Sequence, residues 1–389
     1  MTSLAVASTG LRDREAGNDL AAQILTGLGG ESPDALIVFA SSQNDYTPLL
    51  EALQAGCNPG ALIGCSSAGE FTESTDGMGR SSAIALRASD MSFTAVSAQG
   101  LSTDHARAAR EIVRGFAGLA SVQYRYRTAI ILVDALAGHA EEIIDEMTQA
   151  TGGMYRFAGG GAGDDGKFSK THVFHGVEAN TDAMVALEIL SNKPIGIGSK
   201  HGWAPSGDVL RVTESTQNCV VSFNVAPAVE AFEDHAAITG QTFDHADPLP
   251  FFLHNIVGVQ TPQGHKLRVP LGIADDGGIV HAAEVPIGTT AHIMSIPATA
   301  AVEAAASATR DAIEQVTEGG NRPSGALFLD CVATRLRLGH GFDDELAAVS
   351  DALGNTSFAG FNSYGQIVRA EGQFSGFHNC TAVVVVFPE

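Results

Sequence analysis

Gly64-Cys-Ser-Ser-Ala-Gly-Glu70, Gly159-Gly-Gly-Ala-Gly-Asp-Asp165 and Gly360-Phe-Asn-Ser-Tyr-Gly-Gln366 are three small-residue loops, each continuing an apolar stretch of strand length. Aligned on Gly69, Gly163 and Gly365, they share a pattern of Gly or Ala, then Ser or Gly, then Gly. Glu70, Asp164 and Gln366 follow the shared glycine. A glycine at one fixed place behind a strand fits a turn with positive φ or a close backbone approach. The recurrence marks an internal repeat, which decides the architecture before any single element does.

Outward from each loop the same elements recur. The first copy reads as a strand over 4–8, a helix over 18–28, a buried strand over 35–40 and a helix over 46–55, then the loop and a closing strand over 82–88. The second reads as strand 93–97, helix 104–116, strand 129–133, helix 140–148, the loop, and closing strand 183–189. The third reads as strand 292–296, helix 299–316, strand 326–330, helix 343–353, the loop, and closing strand 382–387. Apolar runs of four to six residues read as strands buried on both faces, and the longer amphipathic stretches as helices. Between the second and third copies, residues 191–290 carry a strand-rich section with a hairpin around Asp275-Asp-Gly-Gly278 and a break at Pro248-Leu-Pro250. The expected fold class is α/β, an α+β layered chain of repeated β-α-β-α-β-β units in two halves around that middle section. The halves are expected at 1–213, with units 3–90 and 91–190, and at 214–389, with the third unit at 291–388.

The totals exclude several functions. The chain has 389 residues, 44% of them hydrophobic and 17% charged, and a net charge of −22. Phosphate backbones require a basic face, so nucleic acid is not an expected partner. Anionic lipid is disfavoured for the same reason. The longest apolar runs fall far short of the ~20 residues that span a bilayer, and the first residues, Met1-Thr-Ser-Leu-Ala-Val6, lack the basic and apolar regions of a signal peptide. Five cysteines with no C-x-x-C pair indicate neither a zinc knuckle nor a disulfide framework. The expected location is the cytoplasm.

Gly64-Cys-Ser-Ser-Ala-Gly-Glu70, Gly160-Gly-Ala-Gly-Asp-Asp165 before Phe168, His201-Gly-Trp203-Ala-Pro205, and Phe377-His-Asn379 with Thr381 also resemble the motifs of FIST proteins, in order and over nearly the whole chain. The resemblance implies a sensory module for a small ligand in signal transduction, working with a sensor histidine kinase or a cyclic-di-nucleotide enzyme and without catalysis of its own. It also implies, through stand-alone family members of this length, a haem that responds to nitric oxide. An amino-acid-like ligand without haem is the alternative. Gln366, Cys380 and the stretch Cys331-Val-Ala-Thr-Arg335 depart from the family pattern. A homo-oligomer is compatible with the sequence.

If the three loops face one cleft, its walls include Cys65, Ser66, Ser67, Glu70, Asp164, Asn362 and Tyr364, joined by His201, Trp203, His378 and Asn379 from the other motifs. Haem needs an apolar slot and an axial ligand. His254, within Pro250-Phe-Phe-Leu-His-Asn-Ile-Val257, is the first candidate and His201 the second. His172 and His175 stand at i and i+3 of a strand and point to opposite faces, so they are set aside as a metal pair. A hydrolase using Cys65 or Ser67 is the competing enzyme reading, but Ser67 sits in G-x-x-S-x-G, unlike the G-x-S-x-G elbow. Gly159–Gly163 lacks the Lys-Ser/Thr of a phosphate-binding loop.

Overall fold

The computed structural model describes residues 2–370 and 375–389. The first unit runs β1 (Thr2–Thr9), α1 (Asp13–Gly27), β2 (Ala35–Ser41), α2 (Tyr46–Cys57), β3 (Ala61–Ser67), a hairpin of β4 (Glu70–Thr72) and β5 (Asp76–Gly77), and β6 (Ser81–Ala88). The second runs β7 (Met91–Gln99), α3 (Leu101–Arg114), β8 (Tyr126–Val133), α4 (Ala140–Ala150), β9 (Arg156–Gly161), a hairpin of β10 (Val173–His175) and β11 (Glu178–Asn180), and β12 (Ala183–Ser191).

The third unit opens earlier than the sequence reading placed it. Its first strand is β13 (Gly196–Lys200), which pairs with the last strand of the chain. A domain is then inserted: β14 (Ala204–Thr216), β15 (Cys219–Phe223), β16 (Ala226–Pro227), α5 (Ala228–Thr239), α6 (Leu249–Phe252), β17 (Ile256–Thr261), β18 (Gly264–Arg268), β19 (Pro270–Ile273), β20 (Ile279–His281) and β21 (Thr290–Ser295). The unit resumes with α7 (Ala298–Glu318), β22 (Pro323–Cys331), α8 (Val332–Leu338), α9 (Phe342–Leu353), β23 (Phe358–Ser363), the hairpin β24 (Gln366–Arg369) and β25 (Gly376–His378), and β26 (Ala382–Pro388). The strand expected at 292–296 therefore belongs to the insert, where it pairs with β14 and β17. The physical reason lies in Gly196 and Gly198, where a Cβ would come within 1.9 Å of the Ala312 and Ala308 carbonyl oxygens of α7. Bare glycines let the long alanine-rich helix settle directly on β13.

Each unit builds the same four-stranded array, β1-β6-β2-β3, β7-β12-β8-β9 and β13-β26-β22-β23. Each array is extended by the hairpin of a different unit. β4 of the first unit pairs with β23 of the third, β10 of the second with β3 of the first, and β24 of the third with β9 of the second. The exchange closes a ring of three sheets. Strands buried on both faces divide their side chains strictly by parity. Ile37, Phe39, Ile130, Leu132, Leu327 and Leu329 enter one core shared by all three sheets, while Leu36, Val38, Ile131 and Phe328 face the helices of their own unit. Gly64, Gly159 and Gly360 sit where a Cβ would lie 1.8–2.1 Å from the carbonyl oxygens of Val38, Ile131 and Phe328. These three are the glycines the repeat requires. The insert is an antiparallel sheet, β18-β17-β21-β14-β15-β20-β19, with its own phenylalanine-rich core, and its β19–β20 pair is the hairpin expected around Asp275.

Candidate functional site

The three loops meet at the centre of the ring and are locked by one repeated backbone contact. Ala68 N donates to the Asn362 carbonyl at 2.9 Å, Gly163 N to Ser66 at 2.8 Å, and Tyr364 N to Gly161 at 3.0 Å. This register makes Ala68, Gly163 and Tyr364 equivalent, and it corrects the alignment on Gly163. The hairpin register agrees: Glu70 faces Phe361, Gln366 faces Gly160, and Val173 faces Cys65. The second loop thus leaves the repeat after Gly163 and rejoins it at His172, whose carbonyl receives Ser66 N as the Gly69 carbonyl receives Asn362 N. Asp164 lies in this excursion and has no counterpart in the other loops.

Most of the loop residues are sealed. Cys65, Ser66, Ser67, Glu70 and Asn362 are completely buried. The Ser67 hydroxyl donates to the Glu70 carboxylate, and the Arg80 N–H donates to its other oxygen at 2.9 Å. Burial pushes the Glu70 carboxyl up to about 8, against those two hydrogen bonds, which favour its charged form. The Asn362 side-chain oxygen accepts from Arg335 at 3.0 Å, and Arg335 is paired with Asp76 at 2.6 Å. The Gln366 amide donates to Ser363 at 2.7 Å. Burial raises the Cys65 thiol well above its ordinary range, so the thiolate a nucleophile needs is disfavoured. The hydroxyl of Ser67 is engaged by a carboxyl and not by an imidazole. This centre is a polar lock within the architecture, built from completely buried side chains.

Asp164 shapes the excursion. It accepts from the N–H groups of Phe168, Ser169 and Lys170 at 2.7–2.8 Å, and from the Tyr364 hydroxyl. Burial opposes its charge, yet these donors hold its carboxyl below the usual range. The turn presents Phe168 stacked on Tyr364, with ring centroids 4.3 Å apart. His172 and His175 diverge as expected, one ring beside Tyr46 and the other bonded to Ser97.

His201, Trp203, His378 and Asn379 gather elsewhere, at the seam between the ring and the insert. His201 Nε2 lies 3.2 Å from the His265 carbonyl, and burial lowers its pKa to about 4. Burial holds His378 well below its ordinary pKa, with Arg268, Lys266 and His201 adding to the effect. Asn379 bonds to Val269 and Leu267 of the insert at 3.3 Å. Trp203 packs under Arg337. The space beside His201 is about 10 Å³, room for one water and no more. His254 sits in the exposed turn that follows α6, while Phe251 and Phe252 turn into the insert core against Phe232 and Phe243. Among the described residues, neither histidine faces an apolar slot of a macrocycle's size.

The larger opening is a cleft of about 390 Å³ between the second unit and the insert. Its walls are residues 135–142, the Phe168–Tyr364 pair, Phe377, and from the insert Gln217, Asn218, Leu271 and residues 281–284. Among the described residues no Lys or Arg lines it, while Glu141, Glu142 and Glu284 do. Haem propionates would face those carboxylates. Glu141 is already committed to Lys266, Arg268 and the Phe377 N–H. Of the candidate ligand residues drawn from the sequence, Tyr364 lines this cleft, beside Phe168 and Phe377 of the quoted motifs. Nothing in the sequence distinguishes His139, Glu142, His281 or Glu284, because the cleft forms where two distant segments meet.

Comparison with known families agrees with the motifs. The FIST N domain model matches residues 34–225 and the FIST C domain model matches residues 228–369. The chain belongs to the FIST family, whose domains are small-ligand sensors in signal transduction. The boundary between the two matches falls inside the inserted domain, not between units. A search of the curated proteins returned no match. Among solved structures, a cyanuric acid hydrolase from A. caulinodans is similar at 9% identity, with 99% of each chain covered and a TM-score of 0.33. T. maritima PurL in complex with AMPPCP is similar at 10% identity, covering all of this chain and 72% of that one, with a TM-score of 0.25. No helix among the described residues is long and apolar enough to cross a membrane.

Proposed function

We propose that this FIST protein senses an amino-acid-like ligand in the cleft between its second unit and its inserted domain, and that occupancy changes its affinity for a signalling partner. A sensor histidine kinase or a cyclic-di-nucleotide enzyme is the partner class. The observation that carries this reading is the cleft itself. Its volume of about 390 Å³ suits a small molecule. The Phe168–Tyr364 stack, Leu136 and Leu271 offer an apolar bed, and the acidic rim favours an amine-bearing head group. Because opposite walls belong to the ring and to the insert, a ligand touching both binds one relative placement of the two better than others. Differential affinity of that kind is the physical requirement for transmitting a signal.

The test is a thermal-shift screen of free amino acids and primary amines against the full chain and the Leu136→Trp variant. Leu136 is 43% exposed and lines the cleft, so an indole there fills the space with the core untouched. An amine-bearing compound should raise the melting temperature of the parent by several degrees and leave the variant unmoved. A compound that stabilises both equally would overturn the placement in the cleft. The same protein, expressed in haem-sufficient cells, should show no Soret band; a strong band shifted by nitric oxide would replace this reading with the haem one.

A further inference from the structure

We propose that His139, Glu142 and Glu284 form a binding site for a divalent transition-metal ion at the rim of this cleft, tying the inserted domain to the second unit. One imidazole nitrogen and two carboxylate oxygens from these residues all lie within 4.8 Å of one another. The donors come from both sides of the cleft: His139 and Glu142 from the turn and first residues of α4, Glu284 from the insert.

The Glu142 and Glu284 carboxylates stand within hydrogen-bond reach of each other, a juxtaposition of like charges that a cation would relieve. His139 Nδ1 stands 3.7 Å from Glu142, beyond hydrogen-bond reach, and has no hydrogen-bond partner. His139 takes a left-handed backbone conformation at φ 60, and its ring stacks on His105 with centroids 4.4 Å apart. That stack fixes the imidazole at the rim. A second, independent feature lies in the same cleft. His281 is completely buried, lines the cleft, and neither of its ring nitrogens makes a hydrogen bond of normal geometry, although backbone groups of Ile279 and Asn218 stand near the ring. A buried imidazole left in this state has a lone pair available, and burial keeps it neutral, with its pKa lowered to about 4.

The donor chemistry selects the class of ion. Calcium takes six to eight oxygens, which this rim does not supply. A mixed imidazole and carboxylate set suits zinc and its first-row neighbours. Donors around zinc stand about 3–3.5 Å apart, given bonds of roughly 2.0–2.2 Å. From separations of up to 4.8 Å the three atoms must therefore close by up to roughly 1.3–1.8 Å, a movement within reach of side chains that are half-buried or exposed. The net charge of −22 draws cations to the protein generally, and the rim collects them locally. Three protein donors leave coordination positions open towards the cleft. Those positions would receive the amine and carboxylate of the ligand, a point that rests on the cleft reading; the metal site itself does not.

The test is zinc titration of the chelator-treated full chain by calorimetry, with Glu284→Gln, His139→Ala and, as a surface control, Glu31→Gln. One equivalent should bind in the parent and in the control, and the affinity should fall at least tenfold in each of the two site variants, with circular dichroism unchanged. Equal zinc uptake by the parent and by both site variants would overturn the proposal. Leu136→Trp should keep the zinc and lose the organic ligand. Zinc binding without any amine-dependent stabilisation would sink the ligand reading alone, and amine binding without zinc would sink the metal site alone.

Discussion

The first and third loops of the ring turn back at once, Ser67 to Glu70 and Ser363 to Gln366, whereas the second leaves the sheet at Gly163 and returns at His172. The immediate turns bury every polar group they carry and tie one unit to the next. The long excursion brings Phe168 to the surface beside Tyr364 and supplies part of the cleft wall. The inserted domain is the other departure from the repeat, and it supplies the opposite wall. What recurs in this chain builds the ring, and what interrupts the recurrence builds the site.

That contrast can be broken at a single glycine. Gly159 holds a repeated position where a methyl group would meet the Ile131 carbonyl oxygen at 1.8 Å. Gly159→Ala should cost about 3 kcal/mol or more, through overpacking against backbone that cannot yield. Urea denaturation would read this as a large fall in midpoint at unchanged slope, and a loss under ~1 kcal/mol would mean the ring is far more pliant than described.

A second effect concerns the lock at the centre. The Glu70 carboxyl is raised from its ordinary 4.5 to about 8 in the folded state, so between those values the native protein binds more protons than the unfolded chain. Its contribution to stability is complete below about pH 4.5 and is lost as the pH rises through 8. The urea midpoint should therefore decline from pH 5 to pH 8, and Glu70→Gln should reduce the slope of that decline by removing the titrating group. An unaltered slope in the variant would place the pH dependence elsewhere, with the buried Asp330, raised to about 8 chiefly by burial, as the next group to replace. The smallest effect is expected in the excursion. Gly166 has φ +78 and nothing within 4 Å of where a Cβ would stand, so Gly166→Ala should cost only about 1 kcal/mol, from backbone strain alone.

Much of the ring was legible in the sequence. The apolar runs at 35–40, 129–133 and 326–330 appear as β2, β8 and β22, and the helices that follow β1, β7 and the insert were readable from their periodicity. The hairpin exchange was not. Strands such as Glu70–Thr72 and Val173–His175 are too short to carry a period, and each pairs with a strand of another unit. β13 was hidden because a five-residue strand broken by glycines reads as part of the section behind it, while its pairing partner stands almost two hundred residues away. At the candidate site, residue types misled. Cys65, Ser67 and Glu70 have the chemistry of a reactive loop, and only their complete burial shows that they are structural. His139 and Glu284 carry no local signal, since their proximity exists only after the insert has folded onto the second unit.

The pairing of β13 with β26 has a consequence for how the protein is made. β26 lies between β13 and β22, so the third sheet is two separate pieces until Ala382–Pro388 has left the ribosome. During synthesis the insert can already have folded, holding β13 at its root with an edge open to solvent or to another nascent copy. The last seven-residue strand acts as the keystone, and until it drops into place the growing chain depends on the speed of translation, or on a chaperone, to keep that edge from the wrong neighbour.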